Sequence, residues 1–368
     1  MDSITSERTA RHRGLKDHAL VVVVCLVTTA VTNVARAQTP GANVFNPDIS
    51  VIGNALGIAG HNVIDSQPAL QLKEAELGLQ AIVDPYARAD FFLTFGSTTG
   101  SVGVEEGYIT FLNLPADLVV KVGKLKGAFG KLNTEHLHVR LFADVPLNMT
   151  NLLGGEDGID DAGISVSRLI PAPAGIFLEA TAQLFEGTSD NLFQAHSRND
   201  VEPLFHLKGY GDLSEDSNLE VGGSWTRANN LLGPGFRTSL TGIDATFRWK
   251  PLRRGLYRSL LVRGEWTLSE RETPTGMVRA DGYYVLVQYQ LGRRWFAGYR
   301  HDESDHAADA SLRDRGNSLV LTFWPSEFSQ IRAQARRNAY DLITGKSTAT
   351  ELLVQLQFSI GAHGAHPF

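Results

Sequence analysis

The stretch "ELLVQLQFSIG", residues 351–361, decides the fold. Leu352, Val354, Leu356, Phe358 and Ile360 fall on one face of an extended chain, and Leu353, Gln355, Gln357 and Ser359 on the other. Successive side chains of a strand point to opposite faces, so a period of two marks a strand with one apolar side. Such a strand packs its apolar face on a soluble core, or turns it to lipid while the polar face meets water. One strand does not choose between these.

The pattern recurs along the chain. Ala75, Leu77, Leu79, Ala81 and Val83 alternate with Glu76, Gly78, Gln80 and Ile82. After "DPY" (84–86), Ala89, Phe91, Leu93 and Phe95 alternate with Asp90, Phe92 and Thr94. Similar runs occupy 176–184, 219–225, 243–250, 260–268 and 283–291. Strands are expected near 47–58, 70–83, 87–96, 103–113, 118–128, 162–170, 175–186, 203–213, 218–230, 237–250, 257–270, 278–291, 294–304, 315–324, 329–340 and 349–361. Short connections such as "DPY", "NLPAD" and "PLRRG" alternate with longer polar ones at 187–202, 229–238, 269–278 and 302–316. Tight turns at one end and longer loops at the other describe an outer-membrane barrel. Strand-end aromatics such as Phe95, Trp225, Trp249, Trp266, Tyr283, Trp295, Phe323 and Trp324 suit two interfacial girdles. The reading is all-β: a transmembrane antiparallel up-and-down barrel of about sixteen strands, with a long inward-folding loop. A β-sandwich or β-helix would have to bury every apolar face in one core, which sixteen long meandering strands do not favour.

The amino terminus reads as an export signal. Arg8, Arg11, Arg13 and Lys16 precede "ALVVVVCLVTTAV" (19–31), and "ARA" (35–37) offers a small-x-small cleavage site. That gives two segments, a signal peptide at 1–37 and the barrel at 38–368. The apolar run is shorter than the ~20 residues of a spanning helix. The signal holds five Lys/Arg and three Asp/Glu, leaving 29 basic and 37 acidic residues, a formal charge of −8. Cys25 is the one cysteine, so the exported chain has neither disulfide nor thiol chemistry. The acidic balance argues against a nucleic-acid partner.

The stretches "VDPYARADFFLTFG" (83–96), "VEEGYITFLNLP" (104–115), "VGKLKGAFGKLNTEHLH" (122–138), "LGGEDGIDDAGISVS" (153–167) and the "GAHGAHPF" ending resemble a group of bacterial outer-membrane barrels similar to the phosphate-selective porin O/P type. Some members are called zinc-regulated TonB-dependent receptors. The resemblance implies a bacterial outer-membrane location, lipid as a partner, and assembly by machinery that reads a terminal aromatic, here Phe368. About ten residues separate the expected cleavage site from the first strand, which leaves no room for a plug domain. The expected function is therefore a porin-like channel for passive diffusion of small hydrophilic solutes or ions. The alternative is a plugged or gated barrel with a binding or zinc-uptake role. A homotrimer is possible for such a channel, and Ala87/Ala89 and Ala180/Ala182 would suit a flat protomer contact. No G-x-S-x-G elbow or comparable motif suggests an enzyme, and no cofactor is expected.

The longest connection, 127–161, is the expected constriction loop. It carries Lys131, His136, His138, Arg140, Asp144, Glu156 and Asp157. His136 and His138 are a candidate metal pair that needs a third ligand; His363 and His366 are a second pair. The same strand parity puts Glu74, Glu76, Asp90 and Glu106 on an acidic lumen wall, and Lys208, Arg248, Lys250, Arg263, Arg300, Arg332 and Arg336 on a basic one. Charged walls set ion selectivity, and a basic wall suggests weak anion preference. Salt-bridging within the lumen is the competing use of those charges. Lys121, Lys124 and Lys126 resemble the lysine arrays of phosphate-selective relatives. Strict alternation cannot turn all three inward unless a bulge sits at Gly123.

Overall fold

A computed structural model describes residues 47–95, 102–173 and 175–361. The expected export signal, His363, His366 and the terminal Phe368 lie outside the described residues.

Sixteen strands form one closed barrel. They are β1 (Asp48–His61), β2 (Leu70–Asp84), β3 (Ala87–Phe95), β4 (Val102–Phe111), β5 (Val119–Lys126), β6 (Asp160–Pro171), β7 (Phe177–Phe185) and β8 (Glu202–Ser214). There follow β9 (Ser217–Asn229), β10 (Arg237–Trp249), β11 (Leu260–Thr273), β12 (Gly276–Gly292), β13 (Trp295–His306), β14 (Asp309–Ser326), β15 (Ser329–Leu342) and β16 (Gly345–Gly361). Each pairs antiparallel with its sequence neighbours. β1 closes the ring on β16, from Ser50 opposite Gly361 to His61 opposite Thr350. Closure removes every sheet edge, the condition for a sheet to stand in lipid.

The molecule is inside out. Leu352, Val354, Leu356 and Phe358 are all exposed, whereas Glu351, Gln355 and Gln357 are buried. Val285, Val287, Leu319, Leu321 and Ile331 repeat this outward apolar face, with Gln334, Arg300, Asp302 and Thr322 turned inward. A soluble barrel buries its apolar face. This one shows it, which only a hydrocarbon surrounding makes favourable. Outward aromatics pair across strands: Trp295 stacks on Phe323 at 4.5 Å and Phe205 on Trp225 at 6.0 Å.

The connections differ from the length pattern in the sequence. The polar segments 269–278 and 302–316 are strand almost throughout, with two-residue turns at 274–275 and 307–308. Their charges pair across strands instead of looping out: Arg313 meets Glu303 and Asp305, and Arg279 meets Glu270. The "PLRRG" connection, expected to be tight, spans 250–259. Lys250 thus lies past the end of β10, exposed in that connection, and strand parity does not carry it into the lumen.

Two bulges serve the lumen. The β1–β2 register skips Lys73, and the β3–β4 register skips Glu105. Each lets two consecutive residues reach inward. No register shift marks β5, where Gly123 has φ +143°. Lys121 lies over the Tyr108 ring, and Lys124 reaches out to Asp160 and the Val104 carbonyl. Lys126, the last residue of β5, is buried and pairs with Glu105.

The outward face yields a prediction. Val354→Arg puts a charge on the apolar band and should destabilise the barrel in vesicles by about 2–4 kcal/mol. Ser359→Arg, on the lumen face near the strand end, should cost under about 1 kcal/mol. Urea unfolding followed by heat-modifiable gel mobility reads both.

Candidate functional site

The site is the loop 127–159 and the lumen walls that receive it. The loop begins where β5 ends and returns at β6, and its neck is tied by backbone: Gly127 N–H donates to the Ile159 carbonyl at 2.8 Å. Asn133 staples the same place. Its Nδ2 donates to the Gly127 and Ile159 carbonyls (2.8 and 2.9 Å), and its Oδ1 accepts from Ile159 N–H at 2.9 Å. Gly130 and Gly158, at φ +63° and +61°, supply left-handed turns beside the Glu265 and Asn133 side chains.

Within the lumen the loop carries its own apolar core. Phe129, Leu132, Phe142, Met149, Leu152, Leu153 and Ile159 pack with inward residues of the wall, among them Leu125, Phe185, Leu204, Leu240, Tyr284 and Leu286. Each fully buried Leu or Phe contributes about 1.5–3 kcal/mol over exposure. The short helix α1 (Leu147–Leu152) lies against β11–β14.

Charged seats hold the loop to the basic wall. Lys131 pairs with Glu220 at 2.6 Å. Arg263 grips both oxygens of Glu135, at 2.8 and 3.0 Å. Glu265 accepts from Leu132 N–H and from Tyr284 OH, each at 2.8 Å. Asp144 is the most connected. Arg300 holds it bidentately at 2.7 and 3.0 Å, Arg336 donates at 3.2 Å and Gln334 at 2.7 Å. Arg300 also lies 4.5 Å over the Phe142 ring, and Asp302 shares it. Burial would raise the Asp144 carboxyl, but Arg300, Arg336 and Gln334 outweigh it and hold the group at about 2. Removing one member of such a buried set leaves uncompensated charge, at a cost of about 3–5 kcal/mol.

The acidic wall receives the other side. His136 Nε2 lies 2.7 Å from Glu106 Oε2, and its Nδ1 lies 2.9 Å from Glu76 Oε2 and 3.6 Å from Glu105. His138 Nδ1 lies 3.5 Å from Glu76 and 3.7 Å from Glu74. The two rings converge, with centroids 5.6 Å apart, through a 3-10 turn at Leu137–Val139. Lys126 pairs with Glu105 at 3.1 Å, and Lys73 with Glu156 at 2.7 Å. Burial opposes charge on both imidazoles. At His136 the carboxylates on both nitrogens prevail and raise it to about 10; at His138 burial wins and lowers it to about 4.

The expected residues divide accordingly. Glu74, Glu76 and Asp90 are buried in the lumen, and Glu106 joins them with Glu105, which the sequence pattern does not single out. Asp90 spends its charge on Arg88 and accepts from Gln80. Arg140 Nη2 donates to the Glu156 carbonyl at 2.8 Å, and Asp157 is exposed on the loop, away from these seats. Arg263, Arg300 and Arg336 hold loop acids, Arg332 hydrogen-bonds Gln355 and Thr322, Lys208 pairs with Glu179 at 3.4 Å, and Arg248 is half-buried in the lumen. The loop acid Glu135 and the wall residues Glu220, Glu265 and Tyr284 carry no sequence motif. Only the placement of the loop shows what they do.

Two cavities flank the loop. One, of about 550 Å³, opens toward the end with the 85–86 turn and is lined by Asp90, Glu106, Lys121, Lys131, Lys208 and Glu220 among others. The other, of about 350 Å³, opens toward the 62–69 connection and is lined by Asp65, Lys73, Glu156, Asp314 and Arg336 among others. They share no lining residue. His138, Arg140 and Phe142, all nearly fully buried, line neither.

No family model matches the chain. An uncharacterized protein of Aquifex aeolicus is 29% identical over 346 residues, covering 84% of this chain and 72% of that protein. Among solved structures, the anion-selective porin from Comamonas acidovorans superposes with a TM-score of 0.59 at 13% identity, covering 85% of this chain and 98% of that one. OmpT, an outer membrane protein of Vibrio cholerae in a trimer form, gives 0.57 at 12% identity, covering 86% and 100%. The chain has the fold of outer-membrane porins.

Proposed function

We propose that this chain is an outer-membrane channel that passes small hydrophilic solutes by diffusion, its lumen narrowed by the loop 127–159. The observation that carries the reading is an inside-out, closed barrel with polar-lined cavities on both sides of a loop seated on charged walls. A barrel of this strand number leaves an aqueous lumen unless something fills it. A distant kinship with the phosphate-selective porin O/P type belongs to the same proposal. So do export through a cleaved signal and, on the precedent of a trimeric fold neighbour, a homotrimer.

In this reading the weak anion preference expected of a basic wall is small, because much of that charge is paired. Arg263 and Arg300 direct their charge at Glu135 and Asp144. The larger cavity is lined by acids and bases together. The passage proposed is of mixed charge, and the constriction is its selective element.

A second reading has its own observation. The two cavities share no lining residue, and the buried loop side chains His138, Arg140 and Phe142 line neither. In that reading the loop is a gate that must move before anything crosses.

Planar-bilayer recording of the folded protein under a salt gradient tests the first reading. Discrete steps, grouped in threes for a trimer, are expected, with a reversal potential near zero. Silence from a protein with heat-modifiable mobility would overturn it in favour of the gate. The loop seats give a further expectation. Asp144→Asn should raise conductance and its fluctuation, because Arg300 and Arg336 lose the charge that docks the loop. Arg263→Gln should act alike, changing conductance more than the permeability ratio. Acid should do what the Asp144 substitution does. The folded Asp144 value, about 2, lies below its unfolded 3.8, so its stabilisation is present above that value and is lost as pH falls from about 4 toward 2. Conductance recorded across that interval should rise.

A further inference from the structure

We propose that Glu76, His136 and His138 bind one divalent transition-metal ion of the zinc class, with Glu74 or Glu105 completing its shell. The site is independent of whether the lumen conducts. One ligand atom from each of Glu76, His136 and His138 lies within 4.8 Å of the others, and the same holds for Glu74, Glu76 and Glu105. Glu76 belongs to both sets. Zinc bonds to nitrogen and oxygen are about 2.0–2.1 Å, so ligands of a tetrahedral ion stand about 3.4 Å apart. The His138–Glu76 separation of 3.5 Å already matches, and the His136–Glu76 separation of 2.9 Å needs a small opening.

Three features separate this cluster from ordinary ion pairing. Glu74 Oε2, Glu76 Oε1 and Glu105 Oε2 are buried and have no hydrogen-bond partner among the described residues. Glu76 is 1% exposed, so bulk solvent does not reach it. The outer imidazole nitrogen is already held: His136 Nε2 faces Glu106 at 2.7 Å, which leaves Nδ1 turned to Glu76 and Glu105. Metal-ligating histidines carry their second nitrogen on a carboxylate in this manner. Finally, the carboxylates of Glu74, Glu76, Glu105 and Glu106 converge from β2 and β4 on the two imidazoles, while Lys126 is held by Glu105 and Lys73 by Glu156. A protonated His136 between Glu76 and Glu106 would account for one imidazole. It would leave the three carboxylate oxygens without a donor. Two imidazoles select zinc-like ions over calcium or magnesium, which take oxygen shells. Bound there, the ion would tie the loop to β2 and β4, opposite the Asp144 clamp.

The test is calorimetric titration of the full chain, expressed from Met1, purified folded from membranes in detergent and stripped with chelator. Zinc chloride should bind at one ion per chain and calcium chloride should not compete. Glu76→Gln and His138→Ala should weaken zinc at least 100-fold, and Glu106→Gln about 10–100-fold. His363→Ala/His366→Ala should leave affinity unchanged. Absence of saturable one-to-one binding, equal affinity in Glu76→Gln and His138→Ala, or calcium competing on equal terms would overturn the proposal. Should those variants fail to fold, zinc-edge absorption of the unmodified protein with one equivalent decides: two imidazole nitrogens with carboxylate oxygens are expected, and a shell without imidazole refutes the site.

Discussion

A barrel that shows its apolar face to lipid must put its polar residues inside, and each inward charge then needs a partner where water is scarce. Much of this structure follows from that constraint. Arg263 and Arg300 would be costly on a dry lumen wall, and Glu74, Glu76 and Glu105 equally so. The loop 127–159 supplies Glu135 and Asp144 to one wall and His136 and His138 to the other, while Arg140 bonds back to the loop's own Glu156 carbonyl. It is a strip of counter-charge with a small apolar core, and its sequence reads as the complement of the walls it meets.

The fold was legible because it depends on parity. Leu352, Val354 and Leu356 alternate with Gln355 and Gln357 whatever surrounds them, and sixteen such runs leave few architectures. What parity cannot show is where it breaks. The bulges at Lys73 and Glu105 turn neighbouring residues to the same side, so Glu105 gave no sign of joining Glu106. Polar loop-like sequence at 302–316 became strand because Arg313, Glu303 and Asp305 neutralise one another across the ladder.

The candidate site was legible in part. The inward loop could be placed from its length, and the charged residues of the walls from alternation. Their partners could not. Asp144 lies 156 positions from Arg300 and 192 from Arg336, and nothing local marks it as the residue that joins them. His136 and His138 were visible as a pair. The third group, Glu76, lies 60 positions away on another strand. Lys250 failed for the opposite reason, since the strand assumed to carry it ended one residue earlier.

The central claim is that charge docks the loop inside the barrel. The chain from residue 38 onward has no cysteine, so one introduced thiol is a clean reporter. Ala143, 4% exposed, sits beside the clamp and donates its N–H to Gln334. The rate at which an impermeant maleimide modifies Ala143→Cys, set against Asp157→Cys on the exposed part of the same loop, measures docking directly. The account predicts slow modification at 143, fast modification at 157, and acceleration at 143 when Asp144→Asn is added. Equal rates at the two positions, in the folded barrel, would contradict it.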